Sequence, residues 1–86
     1  MYTETVIIPN KTGLHARPAS DLVEFCKQFS SLIELLSDRK TINAKSIISL
    51  LSGGLKQYTE VQVRATGEDE AAAGPAVAGY IRALRD

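Results

Sequence analysis

The apolar positions change period along the chain, and the changes divide it into seven elements. Tyr2 to Ile8 carries the β-branched run Val6-Ile7-Ile8 and stops at Pro9-Asn10, which predicts a strand. Lys11-Thr12-Gly13-Leu14-His15 reads as a short loop. From Ala16 onward Ala19, Leu22, Val23, Cys26 and Phe29 recur every three or four residues, the spacing of one apolar helical stripe. Pro18 falls in the first turn of that helix, where its missing N–H costs nothing. Leu32 to Leu36 and Lys40 to Asn43 predict two strands, and the tight Ser37-Asp38-Arg39 turn makes them antiparallel. Ser46 reads as the N-cap of a short helix, Ile47 to Ser52, closed by Gly53-Gly54. Thr59 to Thr66 alternates, with Val61, Val63 and Ala65 on one face and Gln62 and Arg64 on the other.

After Gly67, Glu68-Asp69-Glu70 places three carboxylates at a helix start, where the dipole favours them. Val77, Tyr80, Ile81 and Leu84 carry the last apolar stripe. Gly74-Pro75 conflicts with a long helix there, since an interior Pro costs ~3 kcal/mol and a Gly ~1 kcal/mol. Either the helix kinks, or it is shorter and begins at Pro75 after a separate turn. The shorter helix is the expectation, because Gly79 weakens any long version. The order β-α-β-β-α-β-α predicts a two-layer α+β fold. Three helices with single stripes cover one face of a four-stranded antiparallel sheet, and the other face is wet.

At 86 residues the chain holds one domain, residues 1–86, with a thin core. Ten Lys and Arg balance ten Asp and Glu, which argues against nucleic acid, where phosphates demand a basic excess. No apolar run approaches the ~20 residues that span a bilayer, so no membrane insertion is expected. The N-terminus lacks the basic start and apolar run of a signal peptide, and the expected location is cytoplasmic. Asn10-Lys11-Thr12 matches the glycosylation triplet and is read as chance without a secretion signal. The single cysteine, Cys26, lies on the apolar stripe and reads as a core residue. One His and one Cys do not furnish a zinc site, and neither a metal nor a cofactor is expected.

The chemistry concentrates at His15, the only histidine, placed just before the first helix. A bland reading makes it a surface cap. The sharper reading starts from the free N–H groups and partial positive charge of a helix start, which suit an anion. The same field disfavours an imidazolium and leaves a neutral nucleophile. Arg17 adds a guanidinium fork that suits phosphoryl oxygens. No carboxylate flanks His15 in sequence; the nearest is Asp21, a helical turn or more further on. In the short helix, Ile47, Ile48, Leu50, Leu51 and Leu55 span too wide an arc to be buried against one sheet. Either Ile48 and Leu51 stay exposed as a docking surface, or they finish the core under the Gly53-Gly54 loop. Ser46 is a cap hydroxyl, and a phosphate there would also suit the helix dipole.

Gly13-Leu14-His15-Ala16-Arg17-Pro18-Ala19 resembles the active-site signature of the HPr family, the histidine-containing phosphocarriers of the bacterial sugar phosphotransferase system. Asn43-Ala44-Lys45-Ser46-Ile47 is similar to that family's regulatory serine region, and Gly67-Glu68-Asp69-Glu70 to its entry into the last helix. The resemblance spans essentially the whole chain and implies an open-faced β-sandwich. It implies a stoichiometric carrier rather than an enzyme. His15 would take a phosphoryl group on Nδ1 from enzyme I, charged from phosphoenolpyruvate, and pass it to enzyme IIA components of sugar permeases. Arg17 and the backbone N–H groups of Ala16 and Arg17 would steady it. Ser46 would be the target of a serine kinase/phosphorylase, in signalling that extends to a catabolite-control transcription factor. Ser20, Ile47, Ile48 and Leu51 would belong to the partner surface. The alternative within the resemblance is a regulatory or nitrogen-related paralogue acting as a binding module.

Overall fold

A computed structural model describes all of residues 1–86. The elements are β1 (Tyr2–Ile7), α1 (Ala16–Cys26), β2 (Leu32–Ser37), β3 (Lys40–Asn43), α2 (Ile47–Ser52), β4 (Glu60–Thr66) and α3 (Glu70–Arg82). The strands form one antiparallel sheet in the order β1-β4-β2-β3. Since β4 pairs antiparallel with both neighbours, β1 and β2 run in the same direction with β4 between them. Val6 faces Val61 across one ladder, and Leu35 faces Val63 across the other. Alternation sends Val6, Ile33, Leu35, Ile42, Val61, Val63 and Ala65 into the core, where all three helices lie. The opposite face is open to solvent and mostly polar, with Ile7 and Leu32 also exposed on it. It carries the Glu34–Arg64 pair, with Nε and Nη2 both donating to one carboxylate oxygen at 2.9 and 2.8 Å.

Helix α1 buries Ala19, Leu22, Val23 and Cys26, the predicted stripe. It stops at Cys26, one turn before the end of that stripe. The Phe29 N–H closes a turn on the Cys26 carbonyl, and its half-buried ring meets Phe25 edge-on. Burial pushes the Cys26 thiol up to about 12, against the pull of Lys45, so the sulfur packs as an apolar group.

The last helix departs from expectation. It is one continuous element from Glu70 to Arg82 with Pro75 inside it, and no separate turn precedes Gly74. Two placements explain this. Pro75 is exposed on the outer surface, where the carbonyl left without its N–H partner belongs to the exposed Ala71. Gly74 is buried against the ring of Tyr2, and a Cβ on it would come 2.0 Å from Tyr2 Cδ1. The helix start therefore lies close on β1, burying Ala73, Gly74, Val77, Ala78 and Ile81. That packing outweighs local propensity.

Two of the three carboxylates entering α3 have separate tasks. Asp69 reaches away from its own helix. Its Oδ2 accepts the Ser30 N–H at 2.9 Å, and its Oδ1 accepts the Ser31 N–H at 2.9 Å and the Ser31 hydroxyl. Glu70 accepts the Gly67 N–H at 3.1 Å and pairs with the Met1 ammonium. Hydrogen bonding holds both carboxyls below the usual range, through the Ser31 hydroxyl for Asp69 and the terminal ammonium for Glu70. Glu68 makes no such contact and stays exposed.

Candidate functional site

The segment between β1 and α1 is held from below before it presents anything outward. Gly13, at φ +66°, lies so close to the next strand connection that a Cβ would sit 2.2 Å from the Leu55 carbonyl oxygen. The Leu14 N–H donates to that oxygen at 2.8 Å, and the Leu14 side chain is buried. His15 follows in extended conformation, φ −135° and ψ 158°, and is exposed. An extended backbone sends successive side chains to opposite sides, so an inward Leu14 produces an outward His15. The ring occupies the N-cap position yet makes no capping hydrogen bond, which removes the bland reading of a cap histidine.

Ala16 enters the helix at φ +51°, a left-handed conformation that costs an alanine roughly 1 kcal/mol. The Ala16 and Arg17 N–H groups have no acceptor in the chain, and the first turn contains no acidic side chain. Free donors and an uncompensated helix start therefore lie beside the imidazole. Arg17 is 90% exposed, with Nε 3.9 Å from Asp21 Oδ2, a loose contact one turn along the helix. The guanidinium is thus available to an incoming anion.

His15 shares a groove of about 200 Å³ with Thr12, Leu14, Leu51, Gly54, Leu55 and Lys56. The groove joins the imidazole to the end of α2. On that helix Leu50 is buried, whereas Ile48 is 74% exposed and Ile47 and Leu51 are 40% exposed. The open alternative for this helix resolves toward an exposed apolar face. Ser46 caps the helix as predicted, its hydroxyl accepting the Ser49 N–H at 3.2 Å. It begins a helix whose Leu51 reaches the His15 groove, about 7.5 Å further along the axis. Ser20 is exposed on α1 and lines neither this groove nor the larger one.

That larger groove, about 650 Å³, lies on the other side of Thr12, between the start of α1 and the end of α3. Arg17, Asp21, Tyr80, Leu84, Arg85 and Asp86 are among its lining residues. Sequence reasoning missed Asp86. It lies far along the chain, yet its Oδ1 accepts Asn10 Nδ2 at 2.9 Å and the Thr12 hydroxyl at 3.0 Å, and its Oδ2 accepts the Thr12 N–H at 3.0 Å. A carboxylate therefore does brace the histidine loop, although none flanks it in sequence. The one legible signal was the Asn10-Lys11-Thr12 triplet. Asn10 is only 5% exposed, and its amide nitrogen also donates to the Gly13 carbonyl at 3.0 Å. It is a loop brace and is closed to a glycan.

A four-stranded antiparallel open sheet with three helices on one face is also the fold of solved HPr structures. Crystalline HPr-C-His from Thermoanaerobacter tengcongensis superposes with a TM-score of 0.91 at 44% identity, covering 95% of this chain and 92% of that one. The family model described as "PTS HPr component phosphorylation site" matches residues 2–83. HPr-like protein Crh of Bacillus subtilis (strain 168) is 42% identical over 82 residues, 95% of this chain and 96% of Crh. Phosphocarrier protein HPr of Mycoplasma capricolum subsp. capricolum is 42% identical over 65 residues, 76% of this chain and 73% of that protein. The chain belongs to the HPr family, the phosphocarriers of the phosphotransferase system. No helix is long and apolar enough to cross a membrane.

Proposed function

We propose that His15 accepts a phosphoryl group from phosphorylated enzyme I and hands it to enzyme IIA components for sugar uptake in the cytoplasm. The whole chain acts as one stoichiometric carrier with no turnover of its own. The observation that carries this reading is the exposed imidazole beside the two free N–H groups of Ala16 and Arg17. The His15 Nδ1 lone pair attacks phosphorus, and the bond from phosphorus to the donor's nitrogen breaks with its electron pair staying on the donor. Transfer onward is the same step with the chain as donor. Ala16 and Arg17 N–H groups and the Arg17 guanidinium meet the phosphoryl oxygens, where such donors are strongest. Ile47, Ile48 and Leu51 form the apolar part of the docking surface, with Ser20 at its edge, and weak, short-lived complexes suit a carrier with several partners.

The test uses phosphoenolpyruvate and a matched enzyme I. His15→Ala abolishes acid-labile label on the chain; label persisting after both His15→Ala and Ser46→Ala overturns the assignment. Ile48→Glu leaves the fold intact, since the side chain is already 74% exposed, and raises the KM for enzyme I on the order of tenfold, about 1.4 kcal/mol of docking.

A second reading is supported by the similarity to Crh, whose solved structure is described as a catabolite-repression protein. Here phosphoserine at Ser46, written by a serine kinase/phosphorylase, signals to a catabolite-control transcription factor and His15 is idle. Acid-stable phosphate at Ser46, with sugar uptake unchanged by His15→Ala, decides for this second reading.

A further inference from the structure

The loop that presents His15 leaves β1 at Ile7 and reaches α1 only at Ala16, and it has no secondary structure of its own. Its first residue, Ile8, still pairs with the segment before β4, its N–H donating to the Thr59 carbonyl and its carbonyl accepting the Tyr58 N–H. Beyond Ile8 two backbone bonds fix the loop inside the molecule, Gly13 N–H to the Asn10 carbonyl and Leu14 N–H to the Leu55 carbonyl. Both of these hold the inward side. The outward side depends on Thr12, which separates the groove containing His15 from the larger groove on the α3 side and lines both.

Thr12 is held by Asp86. Two donors of one residue, its N–H and its hydroxyl, meet the two oxygens of one carboxylate, each at 3.0 Å. Asn10 adds a third donor at 2.9 Å and ties the same carboxylate to the Gly13 carbonyl through the other hydrogen of its amide. Charge-assisted bonds in a two-point arrangement fix orientation as well as distance. These donors, the Asn10 amide first, hold the Asp86 carboxyl below the usual carboxylate range, so the contact is made by the ionised form at neutral pH.

We propose that Asp86 is a positioning residue for phosphoryl transfer at His15: its carboxylate clasps Thr12 and Asn10, and so fixes the outer side of the loop that aims the imidazole. This inference rests on the carrier reading above. Asp86 touches neither the imidazole nor an N–H group of α1. Its effect is on how often the ring adopts the attacking geometry, and small displacements there weigh heavily on rate. A loop held on one side only would swing about the Gly13–Leu14 anchor, carrying the ring with it while the core stayed intact.

The experiment compares wild type, Asp86→Ala and Asp86→Asn in steady-state transfer from phosphorylated enzyme I. Amide hydrogen exchange is read on the same proteins. Asp86→Ala is expected to lower kcat on the order of tenfold with KM for enzyme I within about twofold, because docking through α2 is untouched. Asp86→Asn, which keeps the shape and loses the charge, is expected to fall between. Exchange at Thr12 is expected to speed up by about tenfold or more in Asp86→Ala, with Val63 and Leu35 in the sheet unchanged. A change in KM instead of kcat, or an unchanged kcat with or without faster exchange at Thr12, overturns the proposal while wild-type label on His15 keeps the carrier reading. Absence of label from wild type overturns both. Faster exchange at Val63 and Leu35 as well would mark a global loss of stability and also overturns it.

Discussion

Replacing Gly74 by alanine separates helix propensity from packing, because the two predict opposite signs. In a helix interior Gly→Ala ordinarily stabilises by about 1 kcal/mol. Here the new Cβ would lie 2.0 Å from Tyr2 Cδ1 and 2.6 Å from Tyr2 Cγ. These atoms are near the root of the side chain, so the ring has to rotate out bodily. Tyr2 is half-buried against the core, and its hydroxyl donates to Glu4. Losing ~100 Å² of that contact costs about 2.5 kcal/mol at ~25 cal/mol per Å². The difference leaves Gly74→Ala destabilising by about 1.5 kcal/mol, or roughly 6–12 °C in Tm for a domain of this size. With Tyr2→Ala in the background the obstruction is gone, and Gly74→Ala should stabilise by about 1 kcal/mol. Urea unfolding of the four proteins in this cycle measures both values. A stabilising Gly74→Ala in the wild-type background, or an equal effect in both backgrounds, refutes the account of why α3 carries glycine there.

Gly13→Ala should destabilise by about 3 kcal/mol, combining left-handed strain with loss of the Leu14–Leu55 bond. Urea unfolding reads that loss, and it should be accompanied by slower label uptake at His15. Stability should also fall in acid, because Glu4, Asp69, Glu70 and Asp86 are all held below the usual carboxylate range. A carboxyl depressed in the folded state contributes stability that is complete above its unfolded value and lost as pH falls through its folded value. The urea midpoint should therefore be level from pH 7 to about 5 and decline below about 4, and a midpoint that rises on acidification would contradict the assignments.

Legibility followed the range of the interactions. The stripe of α1, the alternation of β4 and the cap at Ser46 each depend on residues within a few positions of one another, so periodicity and composition revealed them. The sequence placed the histidine at the helix start, but its outward orientation came from the structure, where buried Leu14 and exposed His15 alternate in one extended stretch. Gly74-Pro75 was misread because the partner that makes glycine necessary, Tyr2, lies at the other end of the chain. Asp69 looked like a dipole-favoured residue of α3 and is instead bonded to Ser30 and Ser31.

By itself the sequence determined the seven elements save for the start of α3, the two-layer arrangement and the imidazole beside an anion-receptive helix start. Each of these is local, set by backbone geometry and the spacing of apolar side chains. Only the tertiary structure decided the strand order β1-β4-β2-β3, the groove that His15 shares with Leu51, and the reach of Asp86 to Thr12. Those contacts join residues far apart in the chain, and chain distance alone carries no information about which distant groups packing will bring together.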